Sequence, residues 1–229
     1  MSFKSGIILL SGGLDCLGAL SLMSDKIGLA LTFDYGQDAF LQENKAAERI
    51  ADFYGIKHKI IKLDWFGDLY KKDIPSVTTE DLDNSGLMQT TAQKVWIPNR
   101  NAVFINIAAA FADGSDEYDT IVIGANREEA QTFSDNSEEF IKAVNKSLQY
   151  SANTKVEVTA PVINMNKSEI IRIAKENGAP LEYVYSCYRG GEKHCGTCES
   201  CKRLQRAVST LDENESKRLK EIYFEVCVK

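Results

Sequence analysis

The 229-residue sequence lacks any run of 18 or more apolar residues, so it offers no candidate for a membrane-spanning helix. The N-terminus also lacks the features of a signal peptide. Its apolar run at 6–10 is short, and Ser11, Gly12 and Gly13 interrupt it before any small-residue cleavage site. These absences predict a cytoplasmic protein that does not contact a membrane.

An excess of positive charge is also missing. The chain carries 27 Lys+Arg against 33 Asp+Glu, for a formal net charge of −6. Residues 1–150 hold 14 basic and 22 acidic side chains, whereas residues 151–229 hold 13 and 11. Because nucleic-acid phosphates attract dense Lys and Arg, this balance favours a small-molecule substrate and predicts no direct nucleic-acid partner.

Cysteine is scarce except in one short segment. Cys16 and Cys227 stand alone, but four cysteines fall within 15 residues: Cys187, Cys195, Cys198 and Cys201. Such a cluster in an intracellular chain indicates a metal, and four thiolates suit a structural zinc ion. The C-x2-C-x2-C spacing also begins a ferredoxin motif, although Gln205 and Arg206 replace its Cys-Pro continuation. His194 is the non-cysteine candidate ligand, but we interpret it as a surface histidine.

Apolar runs alternate with helical patterns along the chain. This order predicts a doubly wound α/β fold with a parallel five-stranded sheet in residues 1–180. A helical zinc-binding segment, residues 181–229, is expected to pack on it. Residues 64–95 show no clear period, which predicts a long loop of functional importance. The predicted strands are 6–10, 27–33, 58–63, 120–124 and 155–159.

A glycine-containing loop, S-G-G-L-D-C at 11–16, lies between the first predicted strand and the first predicted helix. Backbone N–H groups of such a loop, together with the helix N-terminus, bind anions. The loop would lie at the carboxyl end of a parallel strand, where ligands of open α/β sheets bind. It matches neither the Walker motif nor the dinucleotide motif G-x-G-x-x-G.

The string S-G-G-L-D after an apolar strand resembles the pyrophosphate-binding loop, or PP-loop, of the ATP pyrophosphatase superfamily, whose fold is adenine nucleotide alpha hydrolase-like. The resemblance implies that ATP binds along residues 10–20, with Asp15 as a contact for Mg2+ or a brace of the loop. The superfamily usually has serine where this chain has Cys16, a weaker hydrogen-bond partner. The position of Cys16 at a helix N-terminus predicts that the pKa of its thiol is lowered. The implied ATP-binding residues are Leu10, Ser11, Gly12, Gly13, Leu14, Asp15, Cys16, Leu17, Gly18, Ala19 and Leu20.

Five further motifs follow in order: F-D-Y-G-Q at 33–37, I-P-N-R-N at 97–101, G-A-N at 124–126, N-K-S-E-I at 166–170 and S-C-Y at 186–188. Over about residues 5–208 they resemble the QueC family of 7-cyano-7-deazaguanine synthases. The resemblance implies a carbon–nitrogen ligase that converts 7-carboxy-7-deazaguanine, ammonia and ATP into 7-cyano-7-deazaguanine. That nitrile is a precursor of queuosine and archaeosine in tRNA. It also implies one structural zinc on the four clustered cysteines and a homodimer.

The same reasoning gives candidate site residues. Asp15, Lys167 and Arg100 form the predicted catalytic set. Lys167 would stabilise charge on the leaving phosphates, and the Arg100 guanidinium would pair with a carboxylate or phosphate. The predicted substrate-binding residues are Arg100, Asn101, Phe133 and Asp135.

Residues 132–137 depart from the family pattern. They read T-F-S-D-N-S where many bacterial members have G-Y-P-D-C, although Asp135 and the flat ring of Phe133 are retained. The departure suggests an archaeal-type branch. Phe33 and Tyr35 are candidates both for stacking on adenine and for the core at the strand end.

Two other functions stay open at this point. One is a PP-loop tRNA thiolase with a metal or iron–sulfur site, which the acidic balance disfavours. The other is a zinc module that binds nucleotide without catalysis, which would leave residues 64–95 and Asp135 without a role. No glutaminase domain is evident in 229 residues, so the nitrogen is expected to arrive as free ammonia.

Overall fold

The computed structural model describes residues 4–69 and 73–224. The strands are β1 (Ser5–Leu9), β2 (Ile27–Asp34), β3 (Lys57–Lys62), β4 (Tyr118–Val122) and β5 (Glu157–Thr159). They form one parallel sheet in the order β3-β2-β1-β4-β5. The predicted doubly wound five-stranded sheet is therefore confirmed. The strand order reverses between β1 and β4, and ligands of such sheets bind beyond the carboxyl ends of the strands at this point.

Helices cover both faces of the sheet. One hydrophobic cluster joins β1 to α1, α2, α7, α8 and α9, and another joins it to α4 and α6. In β1, Ile8 belongs to the first cluster and Ile7 to the second, which explains the continuous apolar run. The helices are α1 (Leu14–Met23), α2 (Phe40–Tyr54), α3 (Ser85–Val95), α4 (Arg100–Asp113), α5 (Arg127–Ala130), α6 (Glu138–Ser151), α7 (Lys167–Glu176), α8 (Glu199–Val208) and α9 (Glu213–Tyr223).

The prediction of a loop over 64–95 was wrong for its last third, because 85–95 form α3. The side-chain oxygen of Asn84 accepts a hydrogen bond from the backbone N–H of Leu87 at 3.1 Å and caps this helix. Met88, Thr91 and Ala92 are buried at helical spacing. Because one threonine and one alanine supply two of the three buried positions, the apolar period is too weak to stand out in the sequence.

Close packing of α1 on α7 arranges the site. A Cβ atom on Gly18 would lie 2.4 Å from Cγ2 of Ile170, so only glycine allows the two helices to approach so closely. This contact brings the N-terminal ends of α1 and α7 to the same edge of the sheet.

The C-terminal helices share a core with the rest of the chain. Leu204, Val208 and Leu219 pack in the same cluster as Leu17 and Ile170. The division into residues 1–180 and 181–229 stays a prediction. Within the described residues, no helix combines the length and apolar character needed to cross a membrane.

Candidate functional site

The glycine loop lies at the carboxyl ends of β1 and β4, where the strand order reverses. Gly12 has a φ of +78°, and a Cβ atom there would lie 2.5 Å from Cβ of Ala46. A Cβ atom on Gly124, just after β4, would lie 2.6 Å from the backbone nitrogen of Cys16. Glycines on both sides therefore let the loop backbone fit between α2 and the end of β4.

Two open cavities adjoin at this edge. The loop cavity is lined by Ser11, Gly13, Asp15 and Lys167, and the aromatic cavity by Trp96, Phe133 and Asp135, among others. Their volumes are about 1100 and 890 Å3. Ligands in the two cavities would meet at the residues common to both walls, which are Tyr35, Gln37, Glu43, Arg100, Glu129, Asn136 and Tyr188.

Lys167 contacts one other residue of the predicted catalytic set, Asp15. Its Nζ lies 2.6 Å from Oδ2 of Asp15 and 2.8 Å from Oε1 of Glu129, and its side chain is only 7% exposed. The structure thus brings together Asp15 and Lys167, as predicted, and adds Glu129. The sequence contained a signal for Glu129, because the charged run R-E-E at 127–129 directly follows the G-A-N motif at the end of β4.

Burial and pairing act against each other in this cluster. Burial raises the pKa of Asp15 to about 6, although the charge of Lys167 opposes the rise. Burial alone would lower the pKa of Lys167, but Asp15 and Glu129 outweigh it and raise that pKa above its ordinary value. Burial would raise the pKa of Glu129, yet the charge of Lys167 lowers it. Lys167 is therefore a fixed cation beside the loop. Asp15 is the member of the cluster whose pKa, at about 6, lies nearest to neutral pH.

Arg100, Phe133 and Asp135 all line the aromatic cavity, whereas Asn101 lines the loop cavity. Nδ2 of Asn101 donates to the backbone carbonyl of Asp135 at 3.3 Å. The ring of Phe133 stacks on Trp96 with an interplanar angle of 12°. Burial raises the pKa of Asp135, against the opposing charge of Arg100. The four predicted substrate-binding residues thus lie around the junction of the two cavities.

The predicted ATP-binding stretch divides into two groups. Leu10, Ser11, Gly13, Asp15 and Cys16 line the loop cavity. The remaining positions are buried and do not line this cavity. They are Gly12, Leu14, Leu17, Gly18, Ala19 and Leu20.

The lowered pKa predicted for Cys16 was wrong, because burial raises the pKa of this thiol. Its Sγ lies 3.3 Å from Oγ of Ser11. Cys16 is half-buried in the wall of the loop cavity, and a neutral thiol there is a weak nucleophile.

Phe33 and Tyr35 belong to the core at the end of β2. Phe33 stacks on Phe104 with ring centroids 4.0 Å apart, and both Phe33 and Tyr35 are buried in the second hydrophobic cluster. Both residues also line the loop cavity, so their stacking on adenine stays a prediction.

The four clustered cysteines, Cys187, Cys195, Cys198 and Cys201, are arranged as ligands of a metal ion would be, and the group is called the metal site below. Their four Sγ atoms lie within 4.8 Å of one another, and those of Cys195 and Cys201 are 3.8 Å apart. Sulfurs about 2.3 Å from one tetrahedral ion would be about 3.8 Å apart, so the arrangement fits. Backbone N–H groups of Arg189 and Cys195 donate to Sγ of Cys187, and that of Cys198 donates to Sγ of Cys195. These donors stabilise thiolates, the form that binds metal.

The interpretation of His194 as a surface residue was wrong. It is buried, its Nδ1 lies 3.1 Å from the carbonyl oxygen of Tyr223, and its Nε2 accepts from the backbone N–H of Ser186 at 2.9 Å. Burial lowers the pKa of His194 to about 4. Because both ring nitrogens have protein partners, His194 braces the segment that leads into the metal site.

Arg189, between the first two cysteines, connects the loop that carries the cysteines, residues 187–198 (the metal loop), to the aromatic cavity. Its guanidinium donates to the carbonyl of Ile74 at 3.1 Å, to Oγ of Ser76 at 2.9 Å and to Oγ1 of Thr197 at 3.0 Å. The carbonyl of Thr197 also accepts from the N–H of Val77 at 2.8 Å. Since Ile74 lines the aromatic cavity, the metal loop holds one of its walls in place.

A buried ionic network joins α8, which carries the last of the four cysteines, to the start of α7. Arg203 on α8 lies 2.8 Å from both Glu199 and Glu128, and the backbone N–H of Lys167 donates to Oε1 of Glu128 at 2.9 Å. Glu199 and Arg203 stand in no sequence motif, and the charged run that contains Glu128 does not reveal its partner, because the pairing depends on the packing of α8 against α5. Sequence reasoning therefore missed them.

Comparison with known proteins gives the family. The family model described as "Queuosine biosynthesis protein QueC" matches residues 5–212. The 7-cyano-7-deazaguanine synthase of Methanosarcina mazei is 46% identical over 217 residues, covering 90% of this chain and 94% of the relative. That of Pelotomaculum thermopropionicum is 44% identical over 213 residues, covering 89% and 96%. Among solved structures, NMN synthetase from Francisella tularensis aligns with 99% of this chain and 80% of its own, at 14% identity and a TM-score of 0.48. The chain belongs to the QueC family of queuosine biosynthesis proteins.

Proposed function

We propose that this protein is a 7-cyano-7-deazaguanine synthase, which uses ATP to convert 7-carboxy-7-deazaguanine and ammonia into 7-cyano-7-deazaguanine. The observation that supports this most strongly is the pair of adjoining cavities, one beside the PP-loop and one lined by aromatic rings. Relatives that bear this name cover most of the chain. They do not support the alternative of a tRNA thiolase.

The loop cavity would hold the phosphates of ATP. Backbone N–H groups of the loop and the N-terminus of α1 would face the phosphates, with Lys167 at their side. Oδ1 of Asp15 is buried and has no hydrogen-bond partner among the described residues. A carboxylate oxygen of this kind fits Mg2+, which prefers oxygen ligands and neutralises phosphate charge.

The aromatic cavity would hold the deazapurine. Trp96 and Phe133 would offer flat faces for the ring, and the Asp135 carboxylate would accept from ring N–H groups. Arg100, which borders both cavities, would hold the substrate carboxylate toward ATP by its planar guanidinium.

The chemistry follows from this placement. A carboxylate is a poor acyl donor, and adenylation converts one of its oxygens into a leaving group. Ammonia then displaces AMP and forms the amide. A second activation, of the amide oxygen, allows its loss and forms the nitrile. Throughout, Lys167 would stabilise negative charge that develops on the leaving phosphates.

We further propose that the four cysteines hold one zinc ion, since zinc favours four thiolates in a closed structural site. By the family resemblance we also propose a homodimer, which light scattering on the purified protein tests.

The test of the function is direct. The purified protein is incubated with ATP, Mg2+, ammonium and 7-carboxy-7-deazaguanine, and products are followed by mass spectrometry. We expect the amide and then the nitrile. Absence of both, under conditions in which the Methanosarcina mazei relative forms them, would overturn the assignment.

A further inference from the structure

The proposed reaction needs a place for its nitrogen nucleophile. Ammonia in solution is mostly protonated to ammonium at neutral pH. Ammonium has no lone pair and cannot attack a carbonyl carbon. Its site must therefore attract a cation, adjoin both ligands and accept a proton. Those requirements point to a carboxylate in the wall common to the two cavities that is not already neutralised by a protein cation.

Two glutamates line both cavities, and they differ in their partners. Glu129 is paired with Lys167 at 2.8 Å. Asp15, in the loop cavity, is also paired with Lys167. By contrast, Glu43 has no cationic group within 4.0 Å among the described residues. Arg100 acts on Glu43 only at longer range. Glu43 is thus the carboxylate of the common wall that can take up a further cation.

Glu43 is also held in a fixed position. Nε2 of Gln37 donates to its Oε2 at 3.0 Å and to the carbonyl of Phe33 at 2.9 Å. Oε1 of Gln37 accepts from the backbone N–H of Tyr35 at 3.0 Å. The amide therefore leads from the end of β2 to one oxygen of the Glu43 carboxylate. The other oxygen receives no hydrogen bond from the described residues.

The backbone at Glu43 packs directly on the PP-loop. A Cβ atom on Gly12 would lie 2.9 Å from the carbonyl oxygen of Glu43. The turn of α2 that carries Glu43 therefore lies directly against the loop that would hold ATP. Ala39 and Ala46, about one turn on either side, pack in the same hydrophobic cluster as three of the four cysteines, which also holds this part of the helix in place.

We propose that Glu43 binds the ammonium ion and takes its proton, so that ammonia is generated between the two cavities; the inference rests on the proposed function. The ammonium N–H bond breaks and its proton goes to the Glu43 carboxylate. The nitrogen lone pair forms the C–N bond to the activated carbonyl carbon. As the C–O bond to AMP breaks, the second proton leaves the nitrogen for the departing phosphate.

The charges around Glu43 suit this role. Burial raises its pKa, which makes the carboxylate a better proton acceptor, and Gln37 and Arg100 oppose the rise. The groups that face Glu43 from the neighbouring elements are the amide of Gln37, the guanidinium of Arg100 and the sulfur of Cys187, whose charge a bound metal ion would compensate.

The test compares Glu43→Gln with the control Glu48→Gln, an exposed position on the same helix. Hydroxylamine is neutral near pH 7.5 and needs no proton acceptor. We expect Glu43→Gln to lower kcat/KM for ammonium by about 100-fold or more. Its use of hydroxylamine and its exchange of pyrophosphate into ATP in the presence of 7-carboxy-7-deazaguanine should stay near wild type. Glu48→Gln should resemble wild type throughout.

Equal losses with ammonium and hydroxylamine, or no loss with ammonium, would overturn the inference. If Glu43→Gln does not fold, Glu43→Asp serves instead, with the ratio of ammonium to hydroxylamine turnover as the readout. A lower ratio supports the inference, and an unchanged ratio contradicts it. Failure of the wild-type protein to form any nitrile or amide would instead reject the proposed function.

Discussion

Nζ of Lys167 lies 2.6 Å from Oδ2 of Asp15, although 152 residues separate them in the chain. The contact exists because α7 packs closely on α1 at Gly18, which aligns the N-terminal ends of both helices. Glu129 approaches the same Nζ from α5 at 2.8 Å. One buried cation thus holds two carboxylates at the edge of the sheet where ATP is proposed to bind.

Replacing Lys167 should destabilise the fold as well as abolish turnover. Lys167→Met leaves the buried carboxylates of Asp15 and Glu129 without a counter-ion, and losing one partner of a buried pair costs about 3–5 kcal/mol. Urea unfolding measures this change in the free energy of unfolding.

Lys175→Met is the matched control. Lys175 pairs with Asp212 at the same 2.6 Å distance, but both side chains are exposed. Solvent screens exposed pairs and leaves them little net effect on stability, so the control should unfold nearly as the wild type does. Equal effects of the two substitutions would show that the Lys167 cluster is not a buried ionic site.

The protonation of Asp15 should give stability a specific pH dependence. Burial raises its pKa in the folded state from 3.8 to about 6, so the folded state binds this proton more tightly than the unfolded chain. The contribution of Asp15 to the free energy of unfolding therefore increases as pH falls from about 6 to about 4. Activity should change in the opposite direction, because the proposed contact with Mg2+ needs the ionised form.

Asp15→Asn isolates this effect, since asparagine does not titrate. The difference in unfolding free energy between wild type and variant should shift in favour of the wild type as pH is lowered through that window. A difference that is constant with pH, or that shifts the other way, would contradict the raised pKa.

The metal site should be needed for stability. Elemental analysis should find one zinc ion per chain, and the protein should be colourless. Cys198→Ser should lose the metal and lower the melting temperature, because a structural metal contributes its binding energy to folding. A brown protein containing iron and sulfide would contradict the zinc assignment, and retained zinc with an unchanged melting temperature would contradict the role of Cys198.

Arg189 should affect the deazapurine site more than the ATP site. Its guanidinium fixes the backbone at Ile74, in the wall of the aromatic cavity. Arg189→Ala should therefore raise KM for 7-carboxy-7-deazaguanine several-fold while KM for ATP and the zinc content stay near wild type. Arg218→Ala, which removes a half-exposed pair with Glu215 on α9, is the control. An equal rise in both KM values would contradict the specific coupling.

The sequence was sufficient to predict the sheet, the position of the glycine loop and the four cysteines that the fold brings together. Buried parallel strands give continuous apolar runs, and glycines and cysteines at fixed spacing reflect local geometry. Lys167 could be named because it stands in a motif. Its partner Glu129 stands in a charged run after another motif, but which carboxylate of that run meets Lys167 depends on how α5 lies against α7.

Other differences have the same cause. His194 directly precedes Cys195 in the sequence. It is buried, however, by Tyr223 and Phe224 at the end of α9, which lie 29 and 30 residues later. Cys16 sits at a helix N-terminus, yet burial decides its pKa. Local pattern therefore predicts which residues are present at a site, and tertiary packing sets their charge and exposure.

The most direct test of the account follows oxygen from the substrate. The protein is given 7-carboxy-7-deazaguanine labelled with 18O in its carboxylate, together with ATP, Mg2+ and ammonium. The account predicts 7-cyano-7-deazaguanine as the product and AMP that carries 18O, because the carboxylate oxygen attacks the α-phosphate. Label that appears in inorganic phosphate while AMP stays unlabelled would contradict it, as would failure to form the nitrile.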